Sequence, residues 1–141
     1  MKQFLFIACS ILAIVTTSCS QKVNVPAAVT KAFNSKYSGA TEIKWGKESA
    51  KEYEAEFKLN GRNVSANFDS DGSWKETETT IPSSELPAAV TNAVNIKYPG
   101  AVYLLTERIE KPAGKILYEV NIKVKGKKKE LELDGDGNLA E

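Results

Sequence analysis

Val25-Pro-Ala-Ala-Val-Thr-Lys-Ala-Phe-Asn-Ser-Lys-Tyr-Ser-Gly-Ala40 lies over Leu86-Pro-Ala-Ala-Val-Thr-Asn-Ala-Val-Asn-Ile-Lys-Tyr-Pro-Gly-Ala101 with 11 of 16 positions identical, at an offset of 61 residues. Self-similarity at such a period is the mark of one supersecondary unit written twice. Further along, Tyr53-Glu-Ala-Glu-Phe-Lys-Leu-Asn-Gly61 lies over Tyr118-Glu-Val-Asn-Ile-Lys-Val-Lys-Gly126, and Phe68-Asp-Ser-Asp-Gly72 over Leu133-Asp-Gly-Asp-Gly137, now at an offset of 65. The second copy therefore carries four extra residues, around Lys111-Pro-Ala-Gly114, a composition that marks a loop.

The quoted opening of each copy reads as a helix. Val25, Val29, Ala32 and Phe33 fall on one stripe, matched by Leu86, Val90, Ala93 and Val94, the spacing of a half-buried helix. Asn24 in the first copy, and Ser83 or Ser84 in the second, are placed to cap the free amides. Pro26 and Pro87 sit near the first turn, where a missing N–H costs nothing. Gly39 and Gly100 supply a left-handed stop.

The remainder of each copy alternates as strands do. Tyr53, Ala55, Phe57 and Leu59 point one way and Glu54, Glu56 and Lys58 the other; Tyr118, Val120, Ile122 and Val124 repeat this against Glu119, Asn121, Lys123 and Lys125. Asn60-Gly61 and Lys125-Gly126 are tight hairpin turns. Val64, Ala66 and Phe68, then Leu131 and Leu133, mark the return strands. Asp71-Gly72 and Asp136-Gly137 turn again, with Trp74 or Leu139 facing inward. Thr41 to Lys47 is expected as the first strand, with Ile43 and Trp45 buried, and Val102 to Ile109 as its partner in the second copy.

The fold class is α+β: a tandem repeat of a helix plus about four antiparallel strands. The helices lie on one sheet face, and the other face is polar and wet. One copy of about 60 residues is marginal alone, so the two are expected to form one composite body. Residues 25–82 make the first repeat and 83–141 the second.

Ahead of the repeats stands a different kind of segment. Met-Lys-Gln is followed by an apolar run from Phe4 to Val15, broken by Ser10, and then by Thr16, Thr17, Ser18 and Cys19. A basic start, a short apolar stretch and a small-residue exit describe a secretory signal peptide, and the run is short of the about 20 residues a membrane span needs. Thr-Thr-Ser-Cys-Ser resembles a lipobox, in which the cysteine after the cleavage point takes a diacylglycerol. On this reading residues 1–18 are a lipoprotein signal peptide, Cys19 is the lipidation site and 19–24 a tether. Ordinary cleavage nearby would instead leave Cys19 as a lone thiol, an odd remainder on an exported chain. Several acyl chains on one residue give a firm anchor, expected in the outer membrane facing the periplasm.

Removal of residues 1–18 leaves 123 residues, 18 basic and 18 acidic. A neutral body gives no reason to expect nucleic acid. Cys9 leaves with the leader, no cysteine remains for a disulfide, and the chain has no histidine. The usual base near neutral pH, the thiol nucleophile and the favoured zinc ligands are thereby missing. No serine stands in a Gly-x-Ser-x-Gly elbow or a Ser-x-x-Lys pair, and there is no Gly-rich phosphate loop. Glu54 and Glu56 could pair as acid and base, but strand alternation already accounts for them. The sequence is read as non-catalytic.

Three features remain. Asp69-Ser-Asp-Gly72 and Asp134-Gly-Asp-Gly137 look like the start of a calcium loop, but Thr80 stands at the twelfth position where an EF-hand needs glutamate. Asp-x-Asp-Gly also suits a hairpin turn, so Asp69, Asp71, Asp134 and Asp136 as calcium ligands are the weaker alternative. Lys123, Lys125, Lys127, Lys128 and Lys129 cluster at the second hairpin, fit for an acidic partner or phospholipid headgroups, or for protecting an edge strand. Tyr37, Tyr53, Tyr98 and Tyr118 recur at equivalent places, which suggests packing. Trp45 and Trp74 have no aromatic counterpart, and either, if exposed, is a contact anchor.

The order helix, strand, Tyr-Glu-Val-x-Ile-Lys-x-x-Gly, strand, Leu-Asp-x-Asp-Gly-x-Leu resembles the PepSY-like domain. It is closest to the tandem beta-lactamase-inhibitor-like, PepSY-like family of secreted Bacteroidetes proteins, over residues 25–141. The resemblance implies a beta-lactamase-inhibitor-protein-like fold, and inhibitors of that kind grip an enzyme with a concave sheet and a projecting hairpin. This chain lacks their disulfides. PepSY domains have been proposed to restrain peptidases. The expectation is a monomeric, lipid-anchored module that binds a protein or peptide of the cell envelope on its open sheet face. Its contacts would come from Glu54, Glu56, Lys58, Asn63, Ser65 and Asn67, from Glu119, Asn121, Lys123, Lys125, Glu130 and Glu132, and from Trp74, with the Lys111–Gly114 loop as protrusion.

Overall fold

A computed structural model describes residues 23–140. The expected signal peptide, Cys19 and all but the last two residues of the expected tether lie outside the described residues.

Helix α1 (Ala27–Lys36) is followed by strands β1 (Thr41–Lys47), β2 (Glu52–Leu59), β3 (Arg62–Asp69) and β4 (Trp74–Thr80). A 3-10 turn (Ser83–Glu85) leads into helix α2 (Ala88–Lys97) and strands β5 (Val102–Glu110), β6 (Ile116–Val124) and β7 (Lys127–Asp134), with a second 3-10 turn (Pro112–Gly114) between β5 and β6. All seven strands form one antiparallel sheet in the order β1-β2-β3-β4-β5-β6-β7. The repeat is thus helix plus four strands, then helix plus three. What would be the eighth strand is a single bridge, Leu133 to Leu139, and Leu139 is exposed instead of facing inward.

Directly paired residues share a face, and the registers therefore assign sides. Val64, Ala66 and Phe68 pair with Phe57, Ala55 and Tyr53 on one flank, and Ala66 and Val64 with Thr77 and Thr79 on the other. Thr79 meets Arg108, Arg108 meets Tyr118, and Tyr118 meets Leu133. This face carries both helices. Val29 and Phe33 of α1 pack among Tyr37, Tyr53, Phe57 and Phe68; Val90 and Val94 of α2 pack among Val120, Ile122, Leu131 and Leu133. The two cores are separate, divided by the threonines of β4 and by Arg108 and Glu110, which form an ion pair.

The helix starts differ from expectation. Pro26 and Pro87 occupy the cap positions themselves, and no side chain caps either helix. Asn24 therefore lies too far upstream, and Ser83 is taken up in its own 3-10 turn. Thr30 and Thr91 bond back to the carbonyls of Pro26 and Pro87 instead. The stops are as read: Gly39 and Gly100 have φ of 88° and 74°. Both hairpins have two positive φ values in succession, Asn60-Gly61 at 51° and 78° and Lys125-Gly126 at 48° and 81°, the geometry that matches the twist of paired strands.

Alternation fails at one place in each copy. In β1 the register slips between Thr41 and Lys44, with Glu42 at φ 55°, and Ile43 is turned out to 42% exposure. In β5 it slips between Tyr103 and Leu105. An extra residue in a strand reverses the facing of what precedes it, which is why Ile43 is not buried. Trp45 beyond the bulge packs edge-on against Phe33 at 5.2 Å.

Candidate binding face

The face away from the helices is assembled from the polar alternates of all the strands. One row runs Glu56, Ser65, Glu78, Ile109, Leu117, Asp134 across β2 to β7. The next runs Thr80, Glu107, Glu119, Glu132 across β4 to β7. Three glutamates therefore stand directly opposite one another on neighbouring strands, an arrangement that is unfavourable for like charges.

Burial in the rows shifts their titration. Glu78 is pushed up to about 7, first by desolvation and then by Glu107 and Glu76. Glu119 is pushed to about 7 by desolvation, then by Glu130 and Glu78. Glu54 also reaches about 7, through desolvation and a shared hydrogen bond with Glu48. Desolvation raises Glu107 as well. Neutral donors soften the repulsion without neutralising it: Ser65 Oγ to Glu78 at 3.3 Å, Thr80 Oγ1 to Glu107 at 3.1 Å, Asn121 Nδ2 to Glu119 at 2.6 Å.

Among the described residues, cations pair with carboxylates of the face at two points. Lys58 pairs with Glu42 at 3.2 Å. Lys111 lies 3.4 Å from Glu76 on β4 and 3.8 Å from Glu132 on β7, so its ammonium spans β5 and β6 between them. In this stretch the face is not wet throughout. Ile109 and Leu117 are 1% and 2% exposed, although they belong to neither helix-side core. The inserted loop is a left-handed 3-10 turn, with Ala113 at φ 61°, and its residues Pro112 to Gly114 are exposed. Where β1 curls away, an open cleft of about 330 Å³ is lined by Lys44, Glu56, Lys58, Ser65, Thr80 and Glu107 among others.

The expected contact residues divide as follows. Glu54, Glu56, Lys58, Glu119, Asn121 and Lys123 all lie on the open face by register. Lys125 sits in the exposed hairpin beside them. Trp74 does not belong: it pairs with Phe68 on the helix side, its Nε1 donates to Thr77 Oγ1 at 3.0 Å, and Lys36 caps its ring at 3.7 Å. Glu76, Glu78 and Glu107 were missed. The alternation of Glu76 and Glu78 in β4 was visible, but their neighbours depend on β4 meeting β5 across the repeat boundary.

The Asp-x-Asp-Gly motifs are turns. Asp71 Oδ1 accepts the Ser73 amide, and Asp134 Oδ1 accepts the amides of Asp136 and Asn138. These bonds hold both carboxyls below the usual carboxylate range; for Asp134 the Asn138 side chain leads, for Asp71 the Ser73 amide. Asp69 pairs with Lys75 at 3.6 Å. With Asp136 they were the calcium alternative, but among the described residues no three such groups are gathered to hold a metal.

Residues 16–61 and 51–141 match the family described as "Putative beta-lactamase-inhibitor-like, PepSY-like". Among solved structures, a BLIP-like protein from Bacteroides fragilis is 29% identical with a TM-score of 0.72, over 84% of this chain and 85% of that one. A DUF2874 family protein from Bacteroides ovatus shares the fold at a TM-score of 0.75 and 24% identity, over 84% and 86% of the two chains. A protein of Bacteroides eggerthii described as "putative periplasmic" does so at 0.77 and 22%, over 84% and 88%. No curated protein matches the chain. A duplicated helix-and-meander with an uncovered sheet face, matched over both copies, places the chain in the beta-lactamase-inhibitor-like, PepSY-like family.

Proposed function

We propose that the chain is a non-catalytic, lipid-anchored module of the periplasm that takes a protein partner on its open sheet face and restrains an envelope enzyme such as a peptidase. The observation that carries this reading is the row Glu107, Glu119, Glu132 beside Glu78. Folding alone does not call for like charges set side by side and partly desolvated. A partner bringing lysine or arginine onto the row would relieve the repulsion. The family's inhibitor-like fold, and the BLIP-like description of the Bacteroides fragilis protein, support binding over catalysis. So does the residue inventory, which holds no histidine. The lipobox-like stretch ending in Cys19 supports the anchor and export, and the outer membrane facing the periplasm is the placement proposed.

The test is a crosslinking pull-down from envelope extract with residues 20–141, beside the double variant Glu107→Lys, Glu119→Lys. Capture of one dominant protein by the parent, lost in a variant that still melts cooperatively, is the expected result. Equal capture by both proteins, or an empty lane for the parent, overturns the reading.

A further inference from the structure

The duplication supplies an internal control: equivalent positions in two copies of one fold, where a difference is not required by folding. At the end of the sheet where each helix stops and its hairpin turns, the copies differ systematically. Ser35, Thr41 and Lys44 in the first copy correspond to Ile96, Val102 and Leu105 in the second; Asn60, Asn63 and Val64 correspond to Lys125, Lys128 and Lys129. Polar positions have become apolar, and neutral positions have become cationic.

The structure brings two of these replacements, Val102 and Lys128, into one row through Lys123, whose counterpart is Lys58. Val102 pairs with Lys123 and Lys123 with Lys128, so they form one row on the open face. Lys97 at the end of α2 and Lys129 on β7 both approach the Tyr98 ring, at 5.9 and 5.4 Å, which ties the helix end to the same corner. Ile96, Val102 and Leu104 are 81%, 61% and 47% exposed. Lys123, Lys125, Lys127, Lys128 and Lys129 are all exposed, and among the described residues none of them forms an ion pair. In the first copy two of the cations at this end are matched: Lys58 by Glu42 at 3.2 Å and Arg62 by Glu85 at 2.9 Å.

Edge protection accounts for lysines on β7, the last strand of the sheet. It does not account for Val102 and Ile96, which stand exposed where the first copy has Thr41 and Ser35. Clustered unpaired lysines around exposed aliphatic groups are the complement of a surface that is anionic outside and hydrocarbon beneath. We infer that this corner of the second repeat is a docking surface for an anionic phospholipid bilayer, with the lysines on the headgroups and Val102, Leu104 and Ile96 at the acyl boundary. Lys123 and Lys125, counted above among the open-face contacts, are here assigned to the bilayer, while the carboxylate rows that carry the protein-binding reading lie farther up the same strands.

The test is co-sedimentation of residues 20–141, which hold every core residue and lack the acylated cysteine, with vesicles. One set is phosphatidylcholine alone, the other about one-third phosphatidylglycerol. Binding is expected to the anionic set only and to weaken with salt. The Lys123→Gln, Lys125→Gln, Lys128→Gln variant should lose about fivefold in partitioning per charge removed. Val102→Asn with Leu104→Asn should also weaken binding, at unchanged charge. Lys31→Gln with Lys51→Gln, exposed lysines of the first copy outside the contact residues, should leave it intact. Equal binding to both vesicle sets, or indifference to the triple lysine variant, overturns the inference. So does unchanged binding by the Val102, Leu104 variant, which would leave an acidic protein as the better partner.

Discussion

Gly72 is pressed against the first turn of α1: a Cβ built on it would stand 2.7 Å from the carbonyl oxygen of Ala28. Gly137 repeats the relationship in the second copy, with its Cβ 2.6 Å from the Ala89 oxygen. The glycine of each Asp-x-Asp-Gly turn is thus where the sheet's far turn meets the helix, and the aspartates shape the turn that delivers it.

Gly72→Ala and Gly137→Ala combine a side chain at φ 90° or 85° with a clash against backbone. Each is expected to destabilise by about 2–4 kcal/mol. Gly39→Ala meets nothing within 4 Å and should cost only about 1 kcal/mol for its positive φ. Urea midpoints of the three variants separate the clash from the conformational cost; equal losses at Gly39 and Gly72 would mean that the helix contact contributes nothing.

The carboxyls of Glu54, Glu78 and Glu119 lie at about 7 against an ordinary 4.5. Between those values the folded state holds protons that the unfolded chain releases, so stability falls as pH rises through that window. The melting temperature should be higher at about pH 5.5 than at about pH 8. Glu78→Gln should raise the stability at the upper pH by on the order of 1 kcal/mol, after allowance for solvent screening. A flat profile from acid to alkaline would show that the rows are fully solvated.

Thr77 is buried, and its hydroxyl accepts from the Trp74 indole at 3.0 Å and shares a hydrogen bond with the Tyr37 hydroxyl. Thr77→Val keeps the shape and strands both, with an expected loss of about 1–3 kcal/mol. Burial already pushes the Tyr37 hydroxyl above its ordinary pKa. Removing the threonine bond, which favours the phenolate, should push it further, as a spectrophotometric tyrosine titration would register.

Millimolar calcium should leave the melting temperature where it is, because a ligand of the native state alone must raise it and the Asp71 and Asp134 oxygens are bound by their own turns. A calcium-dependent rise would reinstate the metal reading.

The repeat made most of the fold legible. Both helices, both tight hairpins and the β1 and β5 starts follow from spacings that occur twice. What escaped depends on pairing between segments that no local pattern connects. Ile43 reads as buried until the bulge at Glu42 turns it out. Nothing in the local pattern marks Ile109 and Leu117, which pair across β5 and β6 and are buried on the open face. Glu78 and Glu107 become neighbours only because β4 of one copy pairs with β5 of the other. Trp74, chosen for lacking a counterpart, owes its place to helix-side packing against Lys36 and Thr77.

The halves meet through β4 and β5 over four residue pairs, Thr77 to Thr80 with Glu107 to Glu110, and their apolar cores do not merge. Every strand pairs only with its neighbour in sequence, so chain closure is local apart from the step across α2. Such a layout folds quickly and lets each half act as its own cooperative opening unit, with the short ladder as the hinge of unzipping. Amide exchange should then resolve into two blocks of protection, the second copy opening without the first. Nature's route from one copy to two is visible in the same ladder: a duplicated meander needs only one new line of hydrogen bonds to become a continuous sheet.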